Sequence, residues 1–180
     1  MKKTLLTCSL VACLSMASVN VYAEGESSVS LGYAQSHVNV KEDGDTLDKD
    51  PKGFNLKYRY EHTNNWGMIS SFTYTHQGYD LYDGSTKFGN GDFDFWSVTA
   101  GPAFRLNEYV SLYGLLGASH GKVKFSVSDE SVSASKTSMV AGAGVQFNLY
   151  PNVVIDASYE YSKLSDVNVG TWMLGAGYRF

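Results

Sequence analysis

The 180-residue chain carries 14 Lys and Arg against 18 Asp and Glu, a formal charge of -4, which argues against nucleic acid as a partner. Its mean hydropathy of -0.20, with 43% hydrophobic and 14% aromatic residues, would suit a soluble protein. After residue 23 no run nears the roughly 18 consecutive apolar residues of a membrane helix, so a bilayer can be crossed only by strands, whose lipid-facing residues are diluted by polar ones at every second position.

The first 23 residues read as a secretory signal: Lys2-Lys3, an apolar stretch over 5–17, and Val21-Tyr22-Ala23 as a small-residue cleavage site. The domain plan is therefore a cleaved signal at 1–23 and one barrel domain at 24–180. Leu10-Val11-Ala12-Cys13 is the rival, a lipoprotein box, but the apolar stretch continues past it. Cys8 and Cys13 leave with the signal, so the mature chain holds neither a disulfide nor a thiolate metal site. Losing Lys2 and Lys3 leaves 12 cations against 18 carboxylates and a charge of -6.

The strands follow as period-two alternation. The first covers 28–39, with Val29, Leu31 and Tyr33 on one parity. A charged loop over 41–53 leads to the second, 54–61, where Phe54, Leu56, Tyr58 and Tyr60 alternate with Asn55, Lys57, Arg59 and Glu61. A polar turn, 62–65, enters the third at 66–76. Residues 77–92, carrying Asp83-Gly84 and Asn90-Gly91, read as a long loop.

The fourth strand, 93–105, sends Trp96, Val98, Ala100, Pro102 and Phe104 outward. Proline cannot donate to a ladder, so a bulge or a gap in pairing is expected at Pro102. The turn 106–109 leads into the fifth strand from Val110. Residues 122–136 form a Ser-rich loop, although Val123, Phe125 and Val127 keep alternating as if the strand continued beyond the membrane. The sixth strand, 137–147, turns at 148–152 into the seventh, 153–162. In the last, 170–180, Trp172, Leu174, Ala176, Tyr178 and Phe180 share one parity, and this strand is expected to pair back to the first.

Eight strands separated alternately by short turns and long loops define an all-β, eight-stranded antiparallel up-and-down transmembrane β-barrel, expected as a monomer in the bacterial outer membrane. Short turns and both termini face the periplasm; long loops face outward. Aromatics crowd the strand ends (Tyr60, Trp66, Phe104, Tyr109, Phe147, Tyr150, Phe180), as membrane anchors do. The opposite parity carries Lys57, Arg59, Glu61, Arg105, Gln146, Asp156, Glu160 and Arg179, four cations and three carboxylates, which fit a polar network plugging the interior of so narrow a barrel. A soluble lipocalin-like barrel would invert the faces, and explains neither the interfacial aromatics nor the terminal strand.

Gly53-Phe54-Asn55-Leu56-Lys57-Tyr58-Arg59-Tyr60-Glu61, Thr99-Ala100-Gly101-Pro102-Ala103, Val169-Gly170-Thr171-Trp172 and Gly177-Tyr178-Arg179-Phe180 closely resemble the OmpX/Ail/Lom family, OmpX members in particular. Gly32-Tyr33-Ala34-Gln35-Ser36 and Ser71-Phe72-Thr73-Tyr74-Thr75 add to the resemblance. It covers every strand and leaves the loops divergent. It implies outer-membrane lipid and lipopolysaccharide as surroundings and a C-terminal Phe read by the outer-membrane assembly machinery. It also implies a surface role in adhesion to host cells or matrix, invasion or complement resistance, or a less defined role in the envelope.

The 77–95 loop is aromatic-rich, and Tyr79, Tyr82, Lys87, Phe88 and Phe93 are candidate partner contacts, because rigid rings give contact area at low entropic cost. The alternative is that the rings pack on one another to order a hairpin. Exposed strand edges here and in the 122–136 loop offer a second mode, strand addition. Lys122 and Lys124 are candidates for lipopolysaccharide phosphates or an anionic host polymer. Asp43, Asp45, Asp48 and Asp50 lack the closing Glu of a calcium loop and read as a solvated acidic loop. His37, His62, His76 and His120 show no nucleophile–base spacing; even His76 with Asp80 has no Ser placed beside it, so neither an enzyme nor a cofactor is expected. Two functions stand: loops that bind host surface, matrix or complement-regulatory proteins, or a structural protein supporting the envelope without a dedicated ligand.

Overall fold

The computed structural model describes residues 26–40, 50–63, 65–83, 86–127, 130–164 and 167–180. The expected export signal at 1–23 and the acidic residues Asp43, Asp45 and Asp48 lie outside them. Eight strands run in chain order: β1 (Ser27–Val40), β2 (Lys52–Glu61), β3 (Trp66–Asp83), β4 (Thr86–Arg105), β5 (Val110–Val127), β6 (Glu130–Tyr150), β7 (Val153–Leu164) and β8 (Val167–Arg179). Each pairs antiparallel with its neighbour. β8 returns to β1 with Val29 opposite Tyr178 and Tyr33 opposite Leu174, so the sheet closes into a barrel.

Parity decides which way each side chain points. On β3, Trp66, Met68, Ser70 and Phe72 are exposed on the outer wall, while Ile69, Ser71, Thr73 and Thr75 are buried inside. From Trp66 to Tyr74 the outward band is nine residues long, which at about 3.3 Å per residue and about 40° of tilt rises about 20 Å, most of the roughly 25 Å apolar height of an outer-membrane barrel. Above it the outward positions turn polar: His37, Lys52, His76, Asp94, His120 and Lys163. The inverted, lipocalin-like assignment fails on these faces.

The strands are longer than the sequence suggests. Residues 77–92, expected as a loop, are largely ladder: Gln77 pairs with Phe93 and the pairing continues to Asp83 with Thr86, shifting once between Leu81 and Tyr82. Likewise 122–136 is mostly strand, β5 reaching Val127 opposite Glu130. Once a hairpin is in register, each further pair satisfies backbone groups at little extra ordering cost, so polar composition alone does not end a strand. Pro102 shows the expected interruption. Pairing between β4 and β5 runs to Ala100 opposite Leu116 and resumes at Ala103 opposite Tyr113.

The periplasmic turns are held by side-chain caps. Asn107 Oδ1 accepts from the backbone N–H of Tyr109 at 2.9 Å and of Val110 at 2.8 Å, and Thr63 Oγ1 accepts from Trp66 N–H at 3.1 Å.

Candidate functional site

Two regions collect the chemistry: the lumen and the sheet that rises above the bilayer. In the lumen, inward parity on β2, β4, β6, β7 and β8 brings together all eight polar residues expected there. Lys57 Nζ donates to Asp156 Oδ1 at 2.5 Å and to Ser158 Oγ at 2.8 Å, with the Tyr113 ring 5.9 Å away; Tyr113 donates its hydroxyl to Asp156 Oδ2 at 2.8 Å. Gly144 makes room for that ring, since a Cβ there would lie 2.3 Å from it. One layer toward the periplasm, Arg59 Nη1 donates to Gln146 Oε1 at 2.8 Å and Nη2 lies 3.1 Å from Glu61. Arg105 contacts Glu61 and, at 2.8 Å, Glu26; Arg179 also contacts Glu26.

Glu26 is the residue the sequence reading missed, because it precedes the first alternating stretch. Its side chain, 53% exposed, caps Arg105 and Arg179 at the periplasmic mouth and brings the carboxylates of the network to four, matching the four cations. Glu160 has no cation beside it among the described residues. It accepts hydroxyls from Ser97 at 2.6 Å, Thr99 at 3.0 Å and Ser71 at 3.5 Å. Toward the outside the interior turns apolar, with Val38, Phe93, Phe95 and Val169 in one buried cluster and Val123 and Val167 against it.

This placement corrects one candidate contact. Phe93 is only 7% exposed and points into the barrel, so it orders the hairpin base instead of meeting a partner. Inward parity on β4 places it there beside Phe95. Of the other candidates, Tyr79 sits opposite Gly91, and Tyr82 opposite Lys87, on the β3–β4 hairpin, while Phe88 lies on β4 near its tip. Lys122 stands opposite Asp94, and Lys124 opposite Asp92. Lys124 is exposed and Lys122 half-buried, so each faces water beside a carboxylate.

Above the band, β3 to β6 continue as a four-stranded sheet. The highest pair between β6 and β7 is Val140 with Ser162, and the highest between β2 and β3 is Lys52 with His76. Among the described residues, β6 over 130–139 and β3 over 77–83 therefore have no strand on their outer side. Unpaired N–H and C=O groups there can receive an extended segment.

The rim beneath this sheet carries two histidine–aspartate pairs, His37 with Asp50 at 2.9 Å and His76 with Asp94 at 2.8 Å. His76 is thus tied to the neighbouring strand by its bond to Asp94. The hydrogen bond from His37, then that from Gln35, holds the Asp50 carboxyl below its ordinary value. For Asp94, desolvation pushes upward, but hydrogen bonds from His76 and Tyr74 outweigh it and the net shift is downward. A depressed carboxyl stabilises the fold above its unfolded value of 3.8, and that contribution is lost as pH falls through the lower folded value. Acidification from pH 5 to about 2 should therefore loosen the rim, and Asp94→Asn should flatten part of that loss, read as histidine ring shifts by NMR.

A closed eight-stranded barrel with an apolar outer band, aromatic borders and a packed polar interior is an outer-membrane β-barrel, and residues 8–180 match the family described as outer membrane protein beta-barrel domain. The chain is 76% identical over 180 residues, all of both sequences, to the attachment invasion locus protein of Yersinia enterocolitica. It is 40% identical over 187 residues, again all of both, to outer membrane protein X of Enterobacter cloacae. The crystal structure of Ail of Yersinia pestis in complex with the heparin analogue sucrose octasulfate superposes with a TM-score of 0.80 at 66% identity, covering 87% of this chain and 99% of that one. The chain belongs to the Ail/OmpX/Lom family and to the bacterial outer membrane. Within that family the particular likeness to OmpX gives way to the attachment-invasion-locus branch, on 76% against 40% identity.

Proposed function

We propose that the chain is a non-enzymatic adhesin that presents the upper parts of β3 to β6 to host surfaces, matrix or complement-regulatory proteins. The observation that carries this reading is the four-stranded sheet above the apolar band, whose β3 and β6 edges have no strand beside them among the described residues. Lys122 and Lys124 add donors for an anionic polymer such as the sulfated sugar bound by the Yersinia pestis relative. The interior network is a structural plug: Lys57, Arg59, Gln146, Asp156 and Glu160 are each 1–2% exposed, leaving no water-filled conduit at their level. Removal of 1–23 after Ala23, and reading of the exposed terminal Phe180 by the assembly machinery, complete the route to a monomer set in lipid and lipopolysaccharide.

Cells displaying the protein should attach to host cells and to immobilised heparin. Lys122→Glu with Lys124→Glu should lower heparin capture about tenfold, the equivalent of about 1.4 kcal/mol, and raised salt should do the same to the parent protein. If cells lacking the protein attach equally well and differ only in sensitivity to detergents, the envelope-supporting role replaces adhesion.

A further inference from the structure

We propose that the lipid-facing wall carries a seat for one acyl chain of a periplasmic-leaflet phospholipid. A groove of about 340 Å³, apolar in lining, is cut into the outer wall between Trp66, Pro102, Phe104, Leu112, Gly114 and Ala143. Its floor is made by small residues paired across strands, Gly114 opposite Ala143, and a Cβ built on Gly114 meets nothing within 4 Å. Bulky neighbours stand proud of that floor: Leu112 is 47% exposed and Trp66 56%. The groove also coincides with the break in the β4–β5 ladder, because Pro102 has no N–H to offer Gly114.

Depth selects the occupant. Trp66 and Phe104, with ring centroids 4.8 Å apart, mark the periplasmic border of the band, and Pro102 and Gly114 lie one step inward along their strands. Water gains nothing in an apolar groove inside hydrocarbon, and an empty one forfeits the dispersion contacts of its walls. A second barrel presents a convex wall that would touch the rims and leave the floor bare. A flexible hydrocarbon chain reaches the floor, with its headgroup level with the Trp66–Phe104 pair.

The test uses the full-length processed barrel in bilayers containing phosphatidylethanolamine with a diazirine in one acyl chain. On illumination, cross-links per residue around Pro102, Gly114 and Ala143 should exceed those on the opposite wall, at Leu31 and Ala176, by about threefold, equivalent to about 0.65 kcal/mol of preference. Gly114→Leu should bring the groove down to the level of the opposite wall. If that variant loses the heat-modifiable gel migration of a folded barrel, Ala143→Leu fills the same space from β6. Equal labelling of both walls in the parent, labelling unchanged in a folded filled variant, or barrel-to-barrel cross-links through the groove would each overturn the proposal.

Discussion

Replacing Asp156 with alanine should destabilise the barrel by about 3–5 kcal/mol, measured by urea unfolding in lipid vesicles with tryptophan emission and gel migration as readouts. The reason is what the change leaves behind. Lys57 is 2% exposed, and without Asp156 its ammonium keeps only the Ser158 hydroxyl at 2.8 Å and the more distant Tyr113 ring. Tyr113 loses its acceptor at the same time. An uncompensated buried charge is the most costly outcome available in such an interior. Changing both partners, Lys57→Met with Asp156→Leu, should recover most of the loss, because a buried ion pair often contributes little over apolar residues of similar volume. A cost below about 1 kcal/mol for Asp156→Ala would mean that water enters the lumen at this level and the plug is not dry.

Within the apolar band, the direction of each interior side chain is legible in the sequence from parity. A period of two admits only two assignments of faces, and the ionic side chains at 57, 59, 61, 105, 156, 160 and 179, with the amide of Gln146, can share one interior only in the assignment with lipid outside. That logic reaches residue type and direction but not partners. Nothing in the sequence says that Lys57 selects Asp156 or that Glu160 is left to three hydroxyls, because strand stagger around the barrel sets those meetings. Glu26 escaped because a single residue before the first alternation has no period to reveal it. The upper strands escaped for another reason. Outside the bilayer both faces of a sheet meet water, so Ser, Asp and Gly occupy strand positions and imitate a loop. Phe93 was misjudged at that boundary, where the count of parity from Trp96 places it inside.

The second large effect separates barrel from sheet. Deleting residues 124–133 and joining Val123 to Ala134 through Asn-Gly should leave the barrel stable within about 1 kcal/mol, since these residues contribute nothing to the closed ladder below. The junction is conservative. Val123 with Ala134 lies four residues down each strand from the native terminal pair, Val127 with Glu130, so it has the same hydrogen-bonding type and suits a two-residue turn. Val123 is retained, and with it the packing against Phe93 and Phe95. What disappears is Lys124, the upper part of the β6 edge and the neighbour that covers Gly89 to Asp92 on β4. Attachment of displaying cells should fall on the order of tenfold or more, as when a central binding element worth at least about 1.4 kcal/mol is removed. A shortened protein that folds, reaches the surface and still attaches as the parent does would move adhesion away from this sheet. The remaining outward chemistry is then the histidine and lysine rim, whose contacts lie at the level of lipid headgroups.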